Sequence, residues 1–420
     1  MPLLPQQAEV NIGAAGHVDH GKTTLVEAIT GVWTSAHSEE LKRGITIKVG
    51  YADAAFHKCP NCLPPSSYTT SNKCPHCNSD TILLRVGSFV DAPRHESLMV
   101  NMLSGASVMD GAVLVISGNE PVPQPQTREH LFALQMLGGT NIIISQNKID
   151  LLNESETLEN YHQIKDFTKN TVAKDSTIIP ISAQNQINVD AVLEAIDVNI
   201  PTPVRDPNVS PRMLIIRSFD INKPGIKIDD FKGGILGGTL VQGVLNVDDE
   251  IELRPGRLDP GSSKYVPVIT KISSLGTSAG IVDSINPGGL IAVGTTLDPS
   301  LAKADTLTGS IVGKPDQLPP TFTRFSMDVL LFETAVGSPD MAKVEKINRG
   351  ELLRLNVLTS PTIGTVTAIR DQIADIELRR PVCANPGDKV AISRRINERW
   401  RLIGCLLYTS PSPRDATLSR

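Results

Sequence analysis

Residues 16–23 read Gly16-His-Val-Asp-His-Gly-Lys-Thr23 and fit the pattern G-x-x-x-x-G-K-[ST], whose backbone N–H groups bind phosphate. We call this segment the P-loop. The apolar residues 8–14 before it predict a strand, and residues 24–30 after it predict a helix. A strand, a glycine-containing loop and a helix N-terminus in this order form an anion site. We therefore expect Lys22 to reach the β- and γ-phosphates of a nucleotide and the Thr23 hydroxyl to bind Mg²⁺.

The composition is typical of a soluble protein with two or three domains. The chain has 420 residues, 40% of them hydrophobic, and a formal net charge of −5. No stretch has the length of a transmembrane helix, and the first residues do not resemble a signal peptide, so we expect a cytoplasmic protein. The negative charge provides no overall attraction for nucleic acid. Any RNA binding would depend on local patches such as residues 341–404, which carry 12 Lys and Arg against 7 Asp and Glu.

Helical and strand patterns alternate up to Pro203. The predicted strands are 49–56, 83–90, 112–116, 141–145 and 177–181, and the predicted helices are 97–105, 126–137, 154–174 and 189–199. This alternation favours a doubly wound α/β domain that binds its ligand at the carboxyl ends of the strands.

Beyond Pro203 the pattern changes to short β-branched runs separated by glycine turns, which favours β-barrels. A proline-containing linker at residues 315–320 divides this part of the chain in two. The predicted domains are an α/β domain at 1–204, a first barrel at 205–318, a second barrel at 319–404 and a tail at 405–420.

Further motifs follow the P-loop in the order that a guanine-nucleotide domain requires. Asp91 ends a predicted strand and is placed to hold Mg²⁺ through water. Thr46 lies in a loop and could bind the same ion only when the γ-phosphate is present, which would make that loop a switch. His95 follows Asp91 by four residues and could orient the attacking water.

The sequence Asn147-Lys-Ile-Asp150 follows a predicted buried strand. Asp150 can accept hydrogen bonds from N1–H and the amino group of guanine, groups that adenine does not present in this pattern. Asn147 can tether the loop, and Lys148 can lie over the base. Backbone N–H groups at Ser182 and Ala183 can meet the guanine oxygen.

Cys59, Cys62, Cys74 and Cys77 form two C-x-x-C pairs separated by 11 residues. In a cytoplasmic protein this spacing indicates metal binding rather than disulfides. Four thiolates on two turns suit tetrahedral Zn²⁺ in a structural role. The pairs lie in an insertion, residues 57–80, whose prolines argue against regular structure; we call it the cysteine insertion. Free buried thiols are the alternative.

The P-loop, Arg43-Gly-Ile-Thr-Ile47, Asn147-Lys-Ile-Asp150 and Ile181-Ser-Ala183 resemble the motifs of translational GTPases. With the cysteine insertion and residues 119–130, 216–224 and 297–304, they are similar to the gamma subunits of archaeal and eukaryotic translation initiation factor 2. The resemblance extends from about Val10 to Gly404. It implies a GTP-binding α/β domain (G domain) with a zinc-ribbon insertion, followed by two β-barrels. It also implies GTP-dependent delivery of methionyl initiator tRNA to the small ribosomal subunit, together with an alpha and a beta subunit.

The resemblance adds site residues to those derived above. It implies that Asp19 to Thr24 line the phosphates, that Asp19 and Gly44 bind a second Mg²⁺, and that Val18 and Ile45 form an apolar gate around His95. The expected nucleotide-binding residues are Val18, Asp19, His20, Gly21, Lys22, Thr23, Thr24, Asp91, Asn147, Lys148, Asp150, Ser182, Ala183 and Gln184.

Three other classes of protein share some of these features. An elongation-type carrier, including the selenocysteine-specific kind, shares most of these motifs, but the cysteine insertion and residues 216–224 favour initiation. A GTPase subunit of a sulfate-activating complex also combines a G domain with barrels, but nothing in the cysteine insertion supports it. A zinc-ribbon interaction module without catalysis would not need the intact nucleotide motifs.

The chain departs from the family pattern at its end. Residues 405–420 are rich in Ser and Pro where a closing barrel strand is expected, and they resemble translated vector sequence. Our hypothesis is that this tail is foreign and disordered.

The second departure, Arg94, generates a testable prediction. The family has glycine there, whose backbone can swing its N–H to the γ-phosphate, a movement that a Cβ should hinder. A single-base change between glycine and arginine codons would also account for it. We expect this chain to keep GDP binding but to show a weaker GTP-induced ordering than an Arg94→Gly variant. Hydrogen exchange with GDP and with a GTP analogue measures that ordering, and equal ordering of the two proteins would contradict the prediction.

Overall fold

The computed structural model describes residues 3–34, 50–91, 99–136, 138–139, 141–222, 225, 227, 231–262, 264–333, 335–336, 343–397 and 399–411. For residues 99–102, 389 and 405–411 the structure describes the backbone only. Gly44, Ile45, Thr46, Arg94 and His95 lie outside the described residues. The chain forms two compact units, Met1–Pro203 and Val204–Arg420.

The first unit contains seven strands and five α-helices among its described residues. The strands are β1 (Val10–Gly16), β2 (Gly50–Lys58), β3 (Tyr68–Thr69), β4 (Ile82–Asp91), β5 (Gly111–Ser117), β6 (Ile142–Asn147) and β7 (Ile178–Pro180). The helices are α1 (Lys22–Thr30), α2 (Met99–Ala106), α3 (Pro125–Met136), α4 (Glu154–Thr168) and α5 (Val189–Asn199).

These strands form one sheet in the order β3-β2-β4-β1-β5-β6-β7. The five neighbouring strands β4, β1, β5, β6 and β7 are parallel to one another, and β2 runs antiparallel to β4. The chain passes from β1 to strands on both of its sides, so the end of β1 is a topological switch point. The P-loop follows that end, where an α/β sheet of this kind binds its ligand.

The side chains of β1 alternate between its two faces, and both faces are buried. Val10, Ile12 and Ala14 pack with α1 and α5 in one apolar cluster. The intervening Asn11 donates from its Nδ2 to the Val108 carbonyl oxygen at 2.9 Å. Because successive side chains of a strand point to opposite faces, the sheet is covered on both sides, as expected for a doubly wound domain.

The second unit contains fifteen strands and one short helix among its described residues. The strands are β8 (Arg212–Phe219), β9 (Ile235–Gln242), β10 (Leu245–Asn246), β11 (Glu250–Leu258), β12 (Tyr265–Thr277), β13 (Gly280–Val282), β14 (Ser284–Ile285), β15 (Ile291–Thr295), β16 (Ile311–Gly313), β17 (Thr321–Leu331), β18 (Leu352–Val357), β19 (Ser360–Arg370), β20 (Ile373–Cys383), β21 (Lys389–Ile396) and β22 (Arg399–Pro411). The helix is α6 (Pro299–Ala302).

Two barrels make up this unit. In the first, the order β11-β16-β8-β9-β15-β12 is closed by pairing of β12 with β11, and β13 extends from β12. The second is a closed barrel in the order β17-β20-β19-β18-β21-β22. Each encloses its own apolar cluster. The predicted fold class, an α/β domain followed by β-barrels, is confirmed.

Several local expectations were wrong. The cysteine insertion was expected to lack regular structure, yet β3 lies within it and pairs with β2. Helix α4 ends at Thr168 instead of Lys174. The expectation of disorder from residue 405 onward is wrong for residues 405–411, whose backbone lies in β22 and pairs with β17, while residues 405–407 also pair with β21. The segment begins Cys405-Leu-Leu-Tyr-Thr409, residue types that suit a strand, and its Ser and Pro occupy only the last two positions. Residues 412–420 lie outside the described residues, and the foreign origin of the tail stays a hypothesis.

Arg85 on β4 ties the sheet to the end of α5. Its side chain is buried, and its guanidinium donates to the carbonyl oxygens of Ile200 at 2.7 Å and Ile196 at 2.8 Å. Asp197 Oδ1 lies 3.5 Å from Arg85 Nε. The guanidinium therefore gives the Ile200 carbonyl oxygen a donor at the helix end and adds a second donor to the Ile196 carbonyl oxygen, which also accepts the Ile200 N–H at 3.0 Å.

We expect Arg85→Met to lower the free energy of unfolding of the first unit by about 2–3 kcal/mol, because two buried carbonyl groups lose a charged donor. Urea denaturation measures this change, and hydrogen exchange at the end of α5 localises it. Lys169→Met is the matched control, since Lys169 is an exposed cation at the end of α4. Equal unfolding midpoints for the two variants would show that Arg85 does not stabilise the helix end.

Candidate nucleotide-binding site and metal centre

Glycine is required at both ends of the P-loop. Gly16 ends β1 with φ of +137°, and a Cβ there would lie 2.2 Å from the Val115 carbonyl oxygen. Gly21 precedes α1 with φ of +92°, and its Cβ would lie 2.3 Å from Asn147 Nδ2. Any side chain at these positions would displace the loop from its neighbouring strands.

Lys22 lies across the P-loop from the first turn of α1. Its side chain is buried, and its Nζ donates to the carbonyl oxygens of Gly16 at 2.8 Å and His17 at 2.6 Å. The ammonium group is therefore held against the loop backbone, next to the N-terminus of a helix. A buried cation and a helix N-terminus at one position favour an anionic ligand.

Asp91 lies at the end of β4 and is fully buried. Its Oδ2 accepts hydrogen bonds from the hydroxyl groups of Thr23, at 2.7 Å, and Thr34, at 2.6 Å. Sequence reasoning predicted Asp91 and Thr23 for Mg²⁺ but missed Thr34, which no motif marks. Hard oxygen donors of this kind are those that Mg²⁺ prefers, so the residues present fit the ion.

Asn147, the last residue of β6, joins two loops of the site. Its Nδ2 donates to the His20 carbonyl oxygen at 2.8 Å, and its Oδ1 accepts from the Ala183 N–H at 3.0 Å. The side chain thus links the P-loop to the turn after β7, which is the tether expected from the sequence.

The other residues predicted to bind guanine lie in the segments that follow β6 and β7. Lys148 has φ of +66° and begins a short 3₁₀ turn, Ile149–Leu151, that carries the exposed Asp150. Ser182 is buried and its Oγ accepts from the Asn185 N–H at 3.3 Å, whereas Gln184 is exposed.

Two histidines support the P-loop in their neutral forms. Burial lowers the pKa of His20 to about 3, and its Nδ1–H donates to the Val115 carbonyl oxygen at 3.2 Å. Burial also lowers the pKa of His130 on α3 far below its usual value, and His130 Nδ1 accepts the Gly16 N–H at 2.9 Å. On the same helix, Gln126 Oε1 accepts the Val18 N–H at 2.9 Å. Sequence reasoning did not assign roles to Gln126 and His130, because their partners are backbone groups more than 100 residues away.

The four cysteines of the insertion converge on one point. Their Sγ atoms all lie within 4.8 Å of one another, with Cys59 and Cys77 at 3.4 Å and Cys62 and Cys74 at 3.7 Å. The backbone N–H of Asn61 donates to Cys59 Sγ at 3.4 Å.

The cluster fits Zn²⁺. Four thiolates around a tetrahedral Zn²⁺ with Zn–S bonds of about 2.3 Å lie roughly 3.8 Å apart, close to the separations found here. Hydrogen bonds from Ser79 lower the pKa of Cys77 to about 6, which favours the thiolate that a metal requires. The hydrogen bond with Cys74 raises the pKa of the Cys62 thiol to about 12 in the metal-free cluster.

Of the predicted catalytic and metal-binding residues, Gly44, Thr46 and His95 lie outside the described residues, so their roles stay predictions. Among the described residues, no helix is long and apolar enough to cross a membrane.

Comparison with known proteins agrees with this fold. A family model of the elongation factor Tu GTP binding domain matches residues 7–202, and a model of the C-terminal part of initiation factor eIF2 gamma matches residues 323–406. Translation initiation factor 2 subunit gamma of Methanocaldococcus jannaschii is 56% identical over 401 residues, which cover 95% of this chain and 97% of that protein. The same subunit of Archaeoglobus fulgidus is 55% identical over 396 residues, or 94% of this chain and 93% of that protein.

Two solved structures share the fold at low identity. A bacterial selenocysteine-specific elongation factor, EF-Sec, is 20% identical with a TM-score of 0.73, and the match covers 97% of this chain but 59% of that one. Elongation factor SelB from Methanococcus maripaludis, in complex with a GTP analogue, is 22% identical with a TM-score of 0.71, over 98% of this chain and 81% of that one. The high identity to the initiation factors over nearly the whole chain decides between the two groups. The chain belongs to the translation initiation factor 2 subunit gamma family and is a translational GTPase.

Proposed function

We propose that this chain binds methionyl initiator tRNA in its GTP state, delivers it to the small ribosomal subunit, and leaves when GTP is hydrolysed to GDP. The observation that supports the GTP part is the Asn147 amide, which joins the P-loop to the turn that carries Ala183. This connection holds the P-loop beside the turn that carries Ala183, which supports the binding of one nucleotide by both segments. The tRNA part rests on membership of the initiation factor family.

The described residues have separate tasks in nucleotide binding. Lys22, with the backbone of residues 19–24, binds the phosphates. Asp150 accepts from N1–H and the amino group of guanine, and Lys148 lies over the base. The backbone around Ser182, Ala183 and Gln184 meets the guanine oxygen.

Hydrolysis requires a positioned water and a neutralised phosphate charge. We assign the orientation of the water to His95 and the switch between nucleotide states to Thr46. Val18 and Ile45 shield His95 on its apolar side. These assignments come from the family motifs at those positions in the sequence.

Two kinds of metal accompany this function. Thr23, with Thr46 and with Asp91 through water, would hold Mg²⁺, and Asp19 with Gly44 would hold a second one; bound Mg²⁺ neutralises charge on the phosphates. Cys59, Cys62, Cys74 and Cys77 would hold Zn²⁺ in a structural role, because four protein ligands leave no open coordination position.

The expected partners are the alpha and beta subunits of a heterotrimer, initiator tRNA and the small ribosomal subunit, all in the cytoplasm. An elongation-type carrier is not favoured. Its support is the fold shared with EF-Sec and SelB at 20–22% identity, whereas the relatives at 55–56% identity are initiation factors.

We expect the purified chain to contain about one Zn²⁺ and Cys62→Ser to lose it, because three thiolates and a hydroxyl bind Zn²⁺ more weakly than four thiolates. Elemental analysis after dialysis against a chelator measures the metal, and hydrogen exchange of residues 57–80 reports the local fold. GDP binding should stay within about twofold of the unchanged chain.

Cys383→Ser is the matched control for this experiment. Cys383 is a buried cysteine of the second barrel whose Sγ contacts the Pro319 carbonyl oxygen, so its loss should leave the zinc content unchanged. A metal-free native chain, or full zinc retention in Cys62→Ser, would contradict the assignment.

The central test compares retention of methionyl initiator tRNA and methionyl elongator tRNA by the chain with the family alpha subunit present. Retention is measured with a GTP analogue and with GDP, for the unchanged chain and for Arg94→Gly. The comparison separates the effect of the nucleotide from that of the residue at position 94. We expect a GTP-dependent preference for the initiator tRNA, and stronger binding by Arg94→Gly. Equal binding of both tRNAs would indicate an elongation carrier, and absence of binding by both proteins would refute tRNA delivery.

A further inference from the structure

Helix α3 presents two polar side chains to the P-loop from one of its faces. Gln126 and His130 are four residues apart, hence one turn apart, and each is 4% exposed. Polar side chains buried to this extent are normally retained for a specific hydrogen bond. We call the pair the loop brace.

The brace acts on alternate residues of the loop. The Gly16 N–H donates to His130 Nδ1, and the Val18 N–H donates to Gln126 Oε1, each at 2.9 Å. Both amide groups therefore point towards α3 and away from any ligand on the opposite side of the backbone. The first half of the P-loop is oriented by side-chain acceptors, whereas its second half continues into α1.

Lys22 completes the arrangement from the other side. Its Nζ binds the Gly16 carbonyl oxygen, so both polar groups of this residue are occupied, the N–H by His130 and the carbonyl by Lys22. The Gly16 N–H belongs to the peptide unit before its Cα and the Gly16 carbonyl to the peptide unit after it, so His130 and Lys22 each hold one of the two peptide planes that meet at Gly16. Loss of the His130 acceptor would free the first of these planes and weaken the conformation on which the Lys22 contact with the second depends.

The brace requires a neutral His130. An imidazolium would carry N–H at both ring nitrogens and could not accept the Gly16 N–H. Burial keeps the pKa of His130 well below its usual value, and the charge of Lys22 lowers it further. With Nδ1 as acceptor, the proton of the neutral ring is on Nε2.

We infer that Gln126 and His130 are positioning residues that hold the P-loop in its phosphate-binding conformation and thereby set how long the nucleotide stays bound. This inference rests on the proposed nucleotide binding at the same site. A loop that is ordered before the ligand arrives loses less conformational freedom on binding, so the bound state is favoured. Removal of one acceptor should leave a buried N–H without a partner and let the loop populate other conformations.

The experiment must distinguish positioning of the P-loop by these two side chains from a role in packing alone. His130→Leu removes the acceptor and keeps an apolar side chain, while His130→Asn keeps an acceptor near the place of Nδ1. Leu134→Ala is the matched control, because Leu134 is buried one turn further along α3 and its truncation weakens packing without removing a bond to the P-loop. Gln126→Met tests the second half of the brace independently and serves if His130→Leu does not fold.

The measurement is the dissociation rate of a fluorescent GDP analogue, together with the melting temperature of each nucleotide-free protein. We expect His130→Leu and Gln126→Met to release GDP at least about tenfold faster, as the loss of one buried hydrogen bond predicts. His130→Asn should return to within about threefold of the unchanged chain. Leu134→Ala should lower the melting temperature and change release by less than about threefold.

Three results would overturn the inference: unchanged release in both acceptor variants, no rescue by His130→Asn, or equally fast release in Leu134→Ala. The unchanged chain separates this test from that of the proposed function. If it does not bind GDP at all, the proposed nucleotide site and the brace both fail. If it binds GDP and the variants behave like it, only the brace fails.

Discussion

The Asn147 side chain is the contact on which the first unit depends. Its amide binds the P-loop through the His20 carbonyl oxygen and the turn after β7 through the Ala183 N–H. β1, β6 and β7 are strands of one parallel sheet, so the segments that follow them meet at one edge. An amide carries its donor and its acceptor on separate atoms, so it can donate to one segment and accept from the other. It also explains Gly21, since a Cβ there would lie 2.3 Å from Asn147 Nδ2.

The electrostatics of the site follow from the same close packing. Burial lowers the pKa of His20 to about 3 and that of His130 well below its usual value, so both rings are neutral at physiological pH. Lys22, held by two carbonyl oxygens, supplies the positive charge of the loop. Because His20 and His130 do not titrate near neutrality, they would not modulate the attraction for phosphate that we propose for Lys22 in this pH range.

The sequence was sufficient for features that are encoded locally. The P-loop pattern, the Asn147-Lys-Ile-Asp150 segment and the paired cysteines each require particular residue types at short spacing, and the structure brings Asn147 to the P-loop and the four thiols together. Contacts between distant segments were missed. A helical pattern predicts α3, but it does not predict that Gln126 and His130 accept hydrogen bonds from backbone N–H groups of the P-loop. Thr34 lies in a segment without periodicity, and its bond to Asp91 joins residues 57 positions apart. In the second barrel, residues 405–411 form a strand although the tail as a whole is rich in Ser and Pro, because β17 supplies partners along the segment and β21 supplies them to residues 405–407.

The position of the cysteine insertion limits what a metal bound by its cysteines could do. β4 begins beside the insertion at Ile82 and ends at Asp91 in the nucleotide site. Ten residues of strand at about 3.3 Å each separate these points by roughly 30 Å. A metal ion at the cysteines therefore lies far from any phosphate held by Lys22 and cannot stabilise charge there directly. The cysteine insertion and the nucleotide site are joined by the pairing of β2 with β4, in which Gly50 pairs with Asp91 and Lys58 pairs with Ile82. A metal bound there would fix the far end of this strand pair, so its contribution to the G domain would be to the local fold and to the surface that the insertion presents.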